Sequence, residues 1–170
     1  MLGPLISSGM VVNENLDLRG TMVMWAIILL EIPTLTLLTV LYFTGNLGED
    51  GWKVILFVAV IMIAAFTLLM NLRLRLRIDP YGLAFQNPPF LNRWKKISIP
   101  EIQSIEVKKS DGMLEYGGVG VRFSRKTTAY LFYTDHILIV QTAKKKYVFS
   151  TKKPQEVEAI IQSWKVSQSD

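Results

Sequence analysis

Two long apolar runs open the chain, and a strict polar–apolar alternation follows them. The first run, TMVMWAIILLEIPTLTLLTVLYFT, covers about residues 21–44, and the second, WKVILFVAVIMIAAFTLLM, covers residues 52–70. A bilayer core of ~30 Å takes about 20 helical residues, so each run is long enough to span it. Between them GNLGEDG, residues 45–51, holds turn formers and acids. The pattern predicts a transmembrane helical hairpin. After Met70 the period changes: in NLRLRLRID, Leu72, Leu74, Leu76 and Ile78 share one face, and Arg73, Arg75 and Arg77 the other. A period of two belongs to a half-buried strand. Asp79-Pro80-Tyr81-Gly82 predicts a turn, and LAFQN, residues 83–87, a second strand. Further strands are predicted at 94–99, 103–109, 117–123, 127–133, 136–142 and 145–150, with a single turn at Pro100-Glu101. Pro154 and Glu156 suit a helix start, and Val157, Ile160, Ile161 and Trp164 form one apolar stripe.

Three segments result. Residues 1–20 read as a flexible or interfacial lead-in, 21–71 as the hairpin, and 72–170 as an α+β domain. That domain is expected to be an antiparallel β-barrel or sandwich capped by one C-terminal helix.

Charge adds a topology. Residues 71–170 carry 17 Lys/Arg against 9 Asp/Glu. Basic residues close to a span stay on the cytoplasmic side. Arg73, Arg75 and Arg77 therefore predict cytoplasmic termini and an outward 45–51 turn. The 170 residues include no cysteine and one histidine, His136. A disulfide framework and thiolate metal sites are excluded, and no cofactor or metal is expected.

The segments IDPYGLAF, ISIPEIQSIEV, EYGGVGVRF and YVFSTKKPQEVEAII, set after two spans, resemble bacterial membrane proteins with a pleckstrin-homology-like domain. The resemblance covers nearly the whole chain. It implies that fold and a bacterial inner-membrane location, and it implies little about activity. Members often carry an aromatic residue where this chain has Val119.

Candidate chemistry is sparse. Gly117-Gly118-Val119-Gly120 lacks the Gly-Lys-Ser/Thr and the following helix that a phosphate loop needs, so it reads as a sheet bend or bulge. Arg122 beside it reads as a buried hydrogen-bonding group. Thr134-Asp135-His136 has no nucleophile beside it and reads as a hairpin turn. No recognisable active site assembles, so no enzymatic activity is expected. Nucleic acid is a poor fit for a tethered domain without a recognition motif.

Two features remain. Arg73, Arg75 and Arg77, with no acid opposite in the expected register, form a basic row. With Lys95, Lys96, Lys144, Lys145 and Lys146 they are the candidates for binding anionic lipid, and Lys152 and Lys153 add a further basic turn. Within the first span, Glu31, Pro33 and Thr34 are the candidates for intramembrane assembly. Pro33 lacks an N–H and predicts a kink. Thr34 lies within reach of Glu31. At its depth the second span offers only apolar residues near Ile61 and Met62. An intramembrane carboxylate normally faces protein or water, which points to a homo-oligomer or a membrane-protein partner, with a tolerated lone glutamate as the other outcome. The expected function is a membrane-anchored binding or scaffolding protein, presenting its domain to anionic lipid or to a protein. The alternative is a small transporter or channel component using Glu31.

Overall fold

A computed structural model describes residues 10–109, 118–132 and 135–167 of the chain. In order they form β1 (Val12–Asp17), α1 (Met22–Phe43), α2 (Gly51–Asn71), β2 (Arg73–Asp79), β3 (Gly82–Asn87) and β4 (Leu91–Ser98). A 3-10 turn at Ile99–Glu101 leads to β5 (Ile102–Lys109). Then come β6 (Gly120–Phe123), β7 (Thr127–Leu131), β8 (His136–Thr142), β9 (Lys146–Thr151) and α3 (Pro154–Ser167). Two compact units result: Asp17–Leu72, and Met1–Leu16 together with Arg73–Asp170.

The helical unit matches the apolar runs. Both helices are long and apolar enough to cross a membrane; α1, with 22 residues, is about 33 Å long. Large side chains such as Trp25, Leu29, Leu30, Leu56 and Phe57 are exposed on it. The less exposed positions of α1, among them Met24, Ile27, Ile28, Glu31, Leu35 and Leu38, recur every three or four residues. Ile55, Val58, Ala59, Met62, Phe66 and Leu69 of α2 do the same. Such spacing gives each helix one face, and the two helices pack together. The open end of the hairpin is tied by Arg19, whose Nε donates to the Met70 carbonyl at 3.3 Å.

The second unit holds two sheets and no closed barrel among its described residues. One sheet has the order β1-β2-β3-β4, the other β5-β8-β9-β7-β6. The predicted strands of this unit all have a counterpart, with the described parts of 117–123 and 127–133 shortened to β6 and β7. One expectation fails: β7 and β9 pair in parallel, so the unit is not wholly antiparallel. The leucines of β2 are buried, as their alternation predicts. Gly82 closes the β2–β3 turn at φ +147°, where an added Cβ would strike the Ile97 carbonyl of β4. Phe85 of the first sheet meets Tyr130, Tyr147 and Phe149 of the second, with ring centroids 4.9–5.5 Å apart. The predicted stripe of α3 is buried, and Trp164 Nε1 donates to the Asp79 carbonyl at 3.2 Å.

Strand β1 has no counterpart in the sequence reading, which placed residues 12–17 in a lead-in. Val12 and Leu16 are buried as in any half-buried strand, but Glu14 stands between them on the same face, only 7% exposed. Its carboxylate is fully used. Thr151 Oγ1 donates to Oε1, and the backbone N–H groups of Lys152 and Lys153 donate at 3.0 and 3.2 Å. These groups lie just ahead of α3, where a negative charge is also favoured by the helix dipole. The helical hairpin is therefore an insertion between two neighbouring strands of one sheet.

Removing one partner of buried hydrogen bonds costs about 1–3 kcal/mol. Glu14→Ala is expected to lower stability by about that amount, and Glu14→Gln by less, because the amide oxygen still accepts although the NH2 group replaces the second acceptor. Thermal unfolding of the detergent-solubilised chain measures both. Equal stability of Glu14→Ala and the native chain would show that the latch carries no load.

Candidate functional site

The register of the first sheet sorts the cations by face. Arg77 pairs with Ala84, and Ala84 pairs with Lys96. Paired residues point the same way from a sheet, so Arg77 and Lys96 share its outer face. Arg75, paired with Gln86, and Arg73 follow from the alternation. Trp94, two residues before Lys96, joins them and is 47% exposed; Tyr81, in the β2–β3 turn, is 85% exposed. Arg77, Asp79, Tyr81, Ala84, Trp94 and Lys96 help line an open groove of about 580 Å³. Its lining thus combines the small Gly82 and Ala84 with two cations and two aromatic rings.

The row is less bare than the sequence predicts. Arg77 Nε lies 3.3 Å from Asp79 Oδ2, on its own strand rather than opposite. Asp79 Oδ1 also accepts the Tyr81 N–H at 3.0 Å, so the carboxylate both shapes the turn and orients the arginine. Arg75 Nη1 approaches Gln86 Oε1 at 3.5 Å. Arg73 and Lys96 make no side-chain hydrogen bond or ion pair among the described residues.

Lys95 lies elsewhere. It pairs with buried Phe85, so it points to the opposite face from Lys96. Its Nζ donates to the Tyr147 hydroxyl at 2.7 Å and sits 4.9 Å from that ring's centroid. Lys95 thus braces the packing of the two sheets.

Lys144, Lys145 and Lys146 lie at the β8–β9 turn. The parallel pairing of Thr127 with Lys146 puts this turn beside the β6–β7 turn, which carries Arg125 and Lys126. The Lys146 N–H donates to the Lys126 carbonyl at 2.9 Å. Sequence reading missed this grouping, because it depends on a parallel strand pair that spacing does not announce. Lys144 and Lys95 both act on Glu101. The Glu101 carboxyl is held below the usual carboxylate range by the Ser98 N–H first, then by the Ser98 hydroxyl and these two lysines.

Glu31 lies on the stripe of α1 that packs with α2 and is half-buried there. Among the described residues its carboxylate has no hydrogen-bond or ion-pair partner. Thr34 is not that partner: its hydroxyl donates back to the Leu30 carbonyl at 2.9 Å. Thr36 and Thr39 satisfy themselves likewise on Ile32 and Leu35. α1 continues through Pro33 to Phe43.

Of the remaining candidates, Arg122 is exposed rather than buried. Gly118 and Gly120 have positive φ, as a glycine-rich bend requires. Gly117 and Thr134 lie outside the described residues. No family model, curated protein or solved structure matches the chain.

Proposed function

We propose that the chain is a non-enzymatic binding and scaffolding protein. It is anchored by its helical hairpin in a bacterial inner membrane, with both termini cytoplasmic. Its sheet unit is a pleckstrin-homology-like module that docks on the anionic inner leaflet. One observation carries this reading: the outer face of the first sheet combines Arg73, Arg75, Arg77 and Lys96 with exposed Trp94 and Tyr81. Tryptophan and tyrosine favour the headgroup region, and each cation near an anionic leaflet contributes about 1 kcal/mol. The strand bearing the arginines starts two residues after α2 ends, with only Leu72 between. The strand alternation, the terminal helix and the short motifs named above support the module type. Glu31, half-buried and without a partner in its own hairpin, supports self-association of the hairpins.

The chain has no native cysteine, so Tyr81→Cys gives one site for a nitroxide label. In nanodiscs of phosphatidylglycerol the label is expected to enter the lipid, as read by its accessibility to oxygen. In nanodiscs of phosphatidylcholine it is expected to stay in water. Raised salt and the triple substitution Arg73→Gln/Arg75→Gln/Arg77→Gln should each return it to water. Equal accessibility in both lipids would overturn lipid docking and turn attention to a protein partner.

Self-association has a separate check. Analytical ultracentrifugation in detergent should find Glu31→Gln shifted toward monomer. An unchanged distribution, together with loss of proton-dependent flux in proteoliposomes, would favour the transporter reading.

A further inference from the structure

The two basic turns at the starts of β7 and β9 lie side by side in the second sheet. Arg125 and Lys126 precede β7, and Lys144 and Lys145 precede β9, with Lys146 as its first residue. The sequence separates the two groups by 17 residues between Lys126 and Lys144. The parallel pair brings them to one end of the second sheet.

Both turns are fixed in shape. In the first, the Ser124 N–H donates to the Thr127 carbonyl at 2.8 Å. In the second, the Thr142 N–H and hydroxyl both reach the Lys145 carbonyl, at 2.9 and 2.8 Å. The Lys145 N–H returns to the Thr142 hydroxyl at 3.1 Å. The Lys146 N–H to Lys126 carbonyl bond joins the turns to each other. The backbone is thereby held before any ligand arrives, which reduces the ordering cost of binding.

The ends of Arg125, Lys126 and Lys145 are not engaged by the fold, and Lys144 acts only electrostatically, on Glu101. Arg125, Lys126, Lys144 and Lys145 make no side-chain hydrogen bond or ion pair among the described residues. Arg125, Lys126 and Lys144 are exposed. Like charges held this close repel one another, and a multiply charged anion would relieve that repulsion. Arginine supplies a planar fork for paired oxygens, and lysines supply mobile point charges.

From this arrangement we infer that the paired turns bind a phosphomonoester or pyrophosphate group, carried by a lipid headgroup or by a soluble molecule. A phosphodiester, with one charge, matches the site less well. The site does not use the Arg73–Arg77 row, so each stands or falls without the other.

The test uses the full chain in phosphatidylcholine nanodiscs, titrated with inorganic pyrophosphate by calorimetry. Saturable binding is expected. Arg125→Gln/Lys126→Gln and Lys144→Gln/Lys145→Gln should each weaken it about tenfold or more. Arg73→Gln/Arg75→Gln/Arg77→Gln should leave it within about twofold. Hydrogen exchange then identifies the source. Protection of residues 124–127 and 142–146 in phosphatidic-acid nanodiscs, and not in phosphatidylglycerol ones, assigns a lipid monoester. Protection by pyrophosphate alone assigns a soluble ligand. Absence of saturable binding and of protection in every arm overturns the site, as does pyrophosphate binding that both turn variants leave intact.

Discussion

A carboxylate from the start of the chain closes the fold near its end. Glu14 of β1 accepts hydrogen bonds from Thr151, Lys152 and Lys153, between β9 and α3. β1 precedes both long helices and is the neighbour of β2, which follows them. The hairpin thus leaves and re-enters the chain at adjacent strands, and Arg19 ties its two ends on Met70. An anchor attached at one point can swivel freely. One inserted between paired strands is joined to the sheet unit by two covalent links.

Strand pairing also decides what the basic residues can do. A run of lysines in sequence becomes two opposite faces on a strand, as with Lys95 and Lys96. Lys95 is spent on Tyr147 within the sheet packing, and Lys96 remains beside Arg77 and Trp94. The parallel pairing of β7 and β9 makes the reverse change and gathers distant cations at one end of the sheet. Charge counted along the chain is thus a poor guide to charge at a surface.

Much of this fold was legible because simple periods carried it. The apolar runs, the Leu/Arg alternation of β2, the Asp79–Gly82 turn and the stripe of α3 each reduce to local sterics and burial. β1 was not legible, because its inward face carries a carboxylate. Sequence patterning counts Glu14 as a solvent-facing residue, and it is the Thr151 hydroxyl and the backbone donors ahead of α3 that make its burial tolerable. Of the candidate site, the row on β2 was legible from alternation. The ion pair of Arg77 with Asp79 on its own strand was not, since it depends on the carboxylate's turn toward the arginine. The grouping of Arg125 and Lys126 with Lys144–Lys146 was hidden for a different reason: it needs long-range strand order. Glu31 was visible as an anomaly, and its place on the packed stripe of α1 follows from helical spacing with Ile27, Ile28 and Leu35.

The central claim is that β1 belongs to the sheet unit and that the hairpin is an insertion. The most direct measurement is the unfolding of two soluble proteins: residues 72–170 alone, and residues 1–19 joined to 72–170 by a Gly-Ser linker in place of 20–71. The account predicts a cooperative transition for the joined protein, and for residues 72–170 alone a transition at clearly lower temperature or none. If residues 72–170 unfold cooperatively at the same temperature, β1 is dispensable and the insertion is no constraint on the fold.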